Sequence, residues 1–149
     1  MSITLQFANS VFVDSRLAIF TLALLSTLFV GCAVEGNSYE APAIAPAKSA
    51  VSIYRPYNVF GAVAEYPVSC ADHSTSLGPG GYHQFIVDPG YLRCSVHTEV
   101  TTAVEFNAKA GENYYIRESI WPGVIRPHVH LDLKSADEAE GEIRKCAQQ

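Results

Sequence analysis

Three side chains with metal-ligating chemistry alternate near the C-terminal end of the sequence. His128, His130 and Asp132 are separated by the apolar residues Val129 and Leu131. Residues two positions apart on a β-strand lie on the same face, so the two imidazoles and the carboxylate would line up. Imidazole and carboxylate groups are ligands of zinc and copper. The pattern therefore permits a metal-binding or metal-dependent hydrolytic surface, which we call the HxHxD strand.

The same alternation has a simpler structural interpretation. A half-buried strand needs polar residues on its solvent face, and His and Asp meet that need without a metal. No Glu stands at the spacing that marks a metalloprotease. We therefore interpret the HxHxD strand as a solvent face and keep metal binding as the alternative.

Cys32 follows a segment with the features of a lipoprotein signal peptide. Residues 17–31 carry no charge, and this run is shorter than the ~20 residues of a membrane-spanning helix. Its length fits the apolar part of a signal peptide, with Arg16 before it and the small residue Gly31 at its end. Residues 28–32 (LFVGC) resemble the bacterial lipobox, in which the cysteine receives a diacylglycerol and the preceding peptide is removed. A buried thiol or a partial membrane anchor is the alternative for Cys32.

The resemblance to a lipobox implies an anchored mature chain. A lipoprotein cysteine carries up to three acyl chains such as palmitate, and several chains together anchor a protein stably. Ala33 stands where many proteins retained at the inner membrane have Asp, which points to the outer membrane. We expect residues 1–31 to be the signal peptide, residues 32–49 the lipidated cysteine and a flexible tether, and residues 50–149 the folded domain.

The other cysteines are Cys70, Cys94 and Cys146. Cys70 shares a strand face with Val68, and Cys94 shares one with Leu92, so both thiols are predicted to point into the core. We favour a Cys70–Cys94 disulfide, which suits an oxidising compartment. Cys146 lies on the apolar side of a predicted helix and competes for Cys94. Three separate buried thiols, or a bond from one of them to a partner chain, also fit the sequence.

Composition and motifs argue against several functions. The formal net charge is -5, and no stretch rich in Lys and Arg is present, so nucleic acid is not an expected partner. Neither a serine in a glycine-flanked elbow nor a phosphate-binding loop occurs. We therefore predict no catalytic residue, no cofactor and no enzymatic activity.

The elements that position these residues are short strands between turn residues. Alternating apolar residues and turn signals predict about seven strands. The pattern S-x-x-E from Ser135 to Glu138 is a capping box and predicts a closing helix. The sequence therefore predicts an all-β, antiparallel β-sandwich with a short C-terminal helix. The predicted strands span residues 51–55, 63–71, 82–87, 91–98, 101–108, 113–120 and 124–134.

Four segments together resemble a family of bacterial lipoproteins that share domain of unknown function 2846. They are residues 52–56 (SIYRP), 81–82 (GY), 87–90 (VDPG) and 110–117 (AGENYYIR). The resemblance implies a transthyretin- or prealbumin-like sandwich with no established reaction, cofactor or catalytic residue. Residues 69–73 (SCADH) depart from the family, in which an Asp-Gly turn is more usual.

These observations predict an interaction module rather than an enzyme. We expect a lipoprotein on the periplasmic side of the outer membrane, bound to the membrane through lipid on Cys32. Its partner would be an unidentified envelope protein. The alternative is the metal-dependent surface on the HxHxD strand.

Overall fold

Short segments of alternating apolar and polar residues form nine β-strands in the computed structural model, which describes residues 36–59, 64–123 and 127–149. A single described helix follows the eighth strand. The bounds are β1 Ser49–Arg55, β2 Pro67–Cys70, β3 His73–Ser76, β4 Gly81–Val87, β5 Gly90–His97, β6 Thr101–Ala108, β7 Asn113–Trp121, β8 His128–Lys134, α1 Ala136–Ile143 and β9 Ala147–Gln148.

The strands form two sheets whose inner faces share one core. Sheet A has the order β8-β7-β1-β4-β9, and sheet B has the order β3-β2-β5-β6. The all-β sandwich with a short C-terminal helix is confirmed. The antiparallel prediction holds for five of the seven ladders between described strands, whereas β1–β7 and β4–β9 are parallel. Strand order follows from long-range packing, which the alternation within each strand does not encode.

Two described strands lie outside the seven that the sequence predicts. The first of them, β3, begins at His73 and pairs with β2 in a hairpin. Its residues are His, Ser and Thr, so apolar alternation gives no signal there. β9 is two residues long and pairs with β4. Residue 63 of the second predicted strand and residues 124–126 of the last lie outside the described residues.

The core between the sheets follows the predicted alternation. Side chains from both sheets contribute, including Ile53 and Ile116 from sheet A and Val68, Cys94 and Val96 from sheet B. The inward faces predicted for β2 and β5 are confirmed by their burial. In β8 the alternation ends at its last apolar residue, because Leu133 is exposed. Burial of these apolar surfaces is the main stabilising contribution to such a fold.

The helix covers the outer face of sheet A and forms a second apolar cluster. Its N-terminus has the predicted capping box, since the Ser135 hydroxyl accepts from the Glu138 amide and the Glu138 carboxylate accepts from the Ser135 amide. The helix ends at Ile143, and Arg144 is its C-cap residue. The buried residues of this cluster are Tyr39, Tyr54, Tyr82, Tyr115, Ala139, Ile143 and Cys146.

Part of the predicted tether belongs to the folded domain. Tyr39 is only 5% exposed, and its hydroxyl lies 3.2 Å from that of Tyr115. Ser38 forms an antiparallel bridge with Ala147. The domain therefore begins before residue 50. The predicted tether is rich in Ala and Pro, and this composition does not indicate that the Tyr39 ring is buried. Only the packing of the folded chain shows it.

Candidate functional site

The HxHxD strand is an edge strand of sheet A. His128, His130 and Asp132 are exposed and alternate with the buried residues Val129 and Leu131, so the predicted shared solvent face is confirmed. Within the described parts of the chain, no group of three or more His, Cys, Asp or Glu side chains is arranged to hold a metal ion. Metal binding at this face stays a prediction.

Of the other three histidines, His73 and His83 both pack against the ring of Phe85, and His97 lies elsewhere. His73 stacks on Phe85 with ring centroids 5.0 Å apart. His83 Nδ1 lies 2.7 Å from the Gln149 carbonyl oxygen. His97 Nδ1 lies 2.9 Å from the Thr101 hydroxyl within the β5–β6 hairpin. Each histidine therefore has a local structural contact.

The predicted Cys70–Cys94 disulfide is present. The two residues are register partners on β2 and β5, and their Cα atoms are 4.1 Å apart. Cys146 is free and buried, so it is not the competing partner of Cys94. Burial and the nearby Glu142 carboxylate raise the pKa of the Cys146 thiol to about 11. Cys32 lies outside the described residues.

The sequence reading missed two charged residues in the inner faces of the strands. Arg55 continues the inward row of β1 after Val51 and Ile53, and Glu118 lies between Ile116 and Ile120 on β7. Arg55 is 2% exposed and Glu118 is 0% exposed. The sequence does contain a signal for their burial, because the alternation of both strands places Arg55 and Glu118 at positions where apolar residues are expected. Buried charges of this kind are uncommon and cluster at functional sites.

Arg55 and Glu118 are neighbours across the parallel β1–β7 ladder. Tyr54 and Arg117 are its last register partners, so the next residue on each strand lies on the inner face beside the other. Arg55 Nη1 donates to the Ala64 carbonyl at 2.6 Å and to the Leu77 carbonyl at 2.7 Å. These bonds hold the guanidinium at the end of the sandwich.

Glu118 has no comparable support. Neither carboxylate oxygen has a hydrogen-bond partner among the described residues. Burial raises the pKa of Glu118 to about 7, although the positive charge of Arg55 opposes the shift. Loss of solvent contact therefore outweighs the attraction to Arg55, and the carboxyl group exchanges its proton near neutral pH.

A small cavity lies beside Glu118, whose carboxylate oxygens are themselves buried. Its volume is about 100 Å³. We call it the Glu118 cavity. It is lined by Arg55, Pro56, Tyr57, Asn58, Arg117, Glu118, Ser119 and Ile120.

A second polar group lies on the opposite face of the same strands. Arg117 Nε is 2.9 Å from Glu142 Oε2 on α1, which is an ion pair without hydrogen-bond geometry. The Tyr54 hydroxyl donates to the same carboxylate oxygen at 2.9 Å. Burial and this bond raise the pKa of Tyr54, so its phenol stays protonated. Arg117 therefore has a charge partner outside the Glu118 cavity.

No protein-family model matches the chain, and no match was found among curated proteins. Among the described residues, no helix is long and apolar enough to cross a membrane.

Proposed function

We propose that this chain is a lipid-anchored lipoprotein of the bacterial cell envelope, acting as a non-catalytic interaction or accessory module on the periplasmic side of the outer membrane. The structural observation that supports the periplasmic location is the Cys70–Cys94 disulfide in the core. Structural disulfides form in oxidising compartments such as the periplasm. The lipobox-like residues 28–32 add the anchor at Cys32.

We also propose a relation to the lipoproteins that share domain of unknown function 2846, which rests on the sequence motifs alone. Residues 88–89 connect β4 to β5, and Gly90, the first residue of β5, has φ +138°. Residues 110–112 form the β6–β7 turn, where Gly111 has φ +82°. Both glycines adopt conformations that other residues rarely adopt, so these motif positions have a physical role in the fold.

The metal-dependent alternative gains no support from the described geometry. His128 and His130 lie on an exposed edge strand, opposite Trp121 and Ser119 of β7. Neither neighbour adds a strong metal ligand. We therefore keep the interaction module as the one proposed function.

Metabolic labelling with a palmitate analogue tests the anchor. We expect label in the wild-type chain, none in Cys32→Ala, and unchanged label in Cys146→Ala. Retention of the label in Cys32→Ala would contradict lipidation at this residue.

In-cell crosslinking followed by mass spectrometry tests the interaction. We expect one reproducible envelope protein with the anchored chain and its loss with Cys32→Ala, because the anchor concentrates the domain at the membrane surface. Failure to capture any partner at saturating crosslinker would contradict the interaction module.

A further inference from the structure

Exposed apolar side chains are concentrated in three connections between strands. The described chain has seven large apolar residues at its surface. Four of them have exposed fractions between 57% and 74%, namely Tyr57, Val59, Val100 and Trp121. Tyr57 and Val59 follow β1, Val100 lies between β5 and β6, and Trp121 is the last residue of β7. We call these four residues the apolar tip.

The three connections lie at the same end of the sandwich. Strands β1 and β7 are parallel, so Tyr57, after β1, and Trp121, at the end of β7, are at one end of sheet A. Trp121 faces the first residue of β8. The Thr102 hydroxyl near the start of β6 donates to the Val129 carbonyl near the start of β8 at 2.9 Å. This bond places the β5–β6 hairpin, and therefore Val100, at that end as well.

The residue types of the apolar tip suit the boundary between water and lipid. Trp and Tyr rings combine an apolar body with a polar edge, and both are enriched at membrane interfaces. Apart from His97 and His128, the charged side chains described at or near this end are Arg55, Glu65, Glu99, Arg117, Glu118, Glu142 and Lys145. Cations do not outnumber carboxylates in this set. A membrane contact here would therefore depend on apolar burial rather than on attraction to anionic lipid.

The chain upstream of the domain ties this end to the proposed lipid anchor. Gly36 is the first described residue, and three residues separate it from Cys32. At ~3.6 Å per residue, this stretch spans at most about 14 Å. Gly36 lies against Gln148, which pairs with Tyr82 near the start of β4. Because β4 starts where its antiparallel partner β1 ends, lipid on Cys32 would hold the domain near the membrane by the half that carries the apolar tip.

We propose that the apolar tip inserts into the interfacial layer of the bilayer that holds the lipid on Cys32. The proposal rests on the anchor proposed above, and it adds a membrane contact made by the folded domain itself. Insertion removes the apolar surfaces of Tyr57 and Trp121 from water. The anchor keeps the tip at a high effective concentration near lipid, so a contact too weak to hold a free domain is enough here. The contact determines which end of the sandwich faces the membrane.

Fluorescence of Trp121 tests the contact directly, because Trp121 is the only tryptophan in the chain. The protein is purified from bacterial membranes and reconstituted into phosphatidylcholine vesicles with or without brominated acyl chains. We expect the emission to shift to shorter wavelength in both vesicles and to lose intensity in the brominated ones, at low and at high salt alike. Unquenched emission from the vesicle-bound protein would overturn the proposal and leave a protein as the occupant of the tip. Quenching that disappears at high salt would also overturn it.

The matched variants are Tyr57→Ser and Tyr91→Ser. The two tyrosines are 69% and 64% exposed, so neither substitution should disturb the fold. Tyr91 lies near the start of β5, at the opposite end of the sandwich. We expect Tyr57→Ser to reduce the quenching of Trp121 and Tyr91→Ser to leave it at the wild-type level. Equal quenching in the two variants would refute the tip as the contact.

Palmitate labelling separates this proposal from the anchor on which it rests. Label on Cys32 together with unquenched Trp121 would refute the tip contact alone. Quenched Trp121 without label on Cys32 would refute lipidation and support the tip contact by itself.

Discussion

At the scale of single residues, Glu118 is the most unusual side chain in the described structure. It occupies an inward position between Ile116 and Ile120, where an apolar residue would stabilise the core. Its nearest charge of opposite sign on the inner face is Arg55, which is held by backbone carbonyls. A buried carboxyl group without hydrogen bonds is retained at a cost in stability, which indicates a role beyond folding.

The cost of burying Glu118 predicts a specific pH dependence of stability. The carboxyl group ionises near 4.5 in the unfolded chain and near 7 in the folded protein. Between these values the folded state binds more protons, so the free energy of unfolding falls as pH rises from 4.5 to 7 and is then constant. The full contribution is on the order of 3 kcal/mol. We expect Glu118→Gln to remove this fall.

Urea unfolding measured across this pH range checks the prediction. Glu118→Gln should resemble the wild type at the acidic end and be more stable than it above pH 7. The exposed control Glu105→Gln should retain the wild-type slope. If Glu118→Gln also keeps that slope, the carboxyl group does not titrate as the structure implies.

At the scale of elements, the disulfide joins β2 to β5 within sheet B. Cys70 and Cys94 are 24 residues apart in sequence. Closing a loop of this length restricts the unfolded chain and contributes about 3 kcal/mol. We expect dithiothreitol to lower the free energy of unfolding of the wild type by about this amount.

Chemical unfolding with and without the reductant measures this effect. The double variant Cys70→Ala/Cys94→Ala should be insensitive to the reductant, whereas Cys146→Ala should respond as the wild type does. A wild-type stability that reduction leaves unchanged would show that the bond does not restrain the unfolded chain.

The capping box at the start of α1 provides a second prediction at this scale. The Ser135 hydroxyl satisfies a backbone amide at the helix terminus, so Ser135→Ala should lower the free energy of unfolding by about 1 kcal/mol. Ser135→Asp keeps an accepting oxygen and should restore most of the loss. Thermal unfolding of the three proteins provides the comparison, and equal melting temperatures would contradict the role of the cap.

At the scale of the whole molecule, residues before β1 complete the fold. Tyr39 packs beneath α1 with Tyr82, at a centroid distance of 5.4 Å, and with Tyr115. The Gln148 amide donates to the Asn37 carbonyl at 2.9 Å. These contacts join the segment before β1 to the chain that follows α1. The sandwich is therefore closed by parts of the sequence that are more than one hundred residues apart.

The buried position of Tyr39 gives a prediction about this closure. Tyr39→Ala should lower the free energy of unfolding by about 3 kcal/mol, because it removes a buried aromatic ring. The neighbouring residue Glu40 is exposed, so Glu40→Ala should change stability by less than about 0.5 kcal/mol. Chemical unfolding of both variants is the measurement. If the segment were only a tether, the two substitutions would change the free energy of unfolding equally.

The sequence alone determined those features that depend on neighbours along the chain. Alternation identified the inward faces of β2 and β5, and therefore the thiols that meet as Cys70–Cys94. The pattern from Ser135 to Glu138 identified the start of α1, because a capping box is local. The solvent face of β8 followed from the same alternation.

The tertiary structure decided what depends on residues distant in the chain. The parallel pairing of β1 with β7 brings Arg55 beside Glu118, and this pairing joins strands about sixty residues apart. Burial of Tyr39 likewise needs α1 above it. Alternation reveals which face of a strand a residue occupies but not which strand lies next to it, so the Glu118 cavity became visible only when the sheets were assembled.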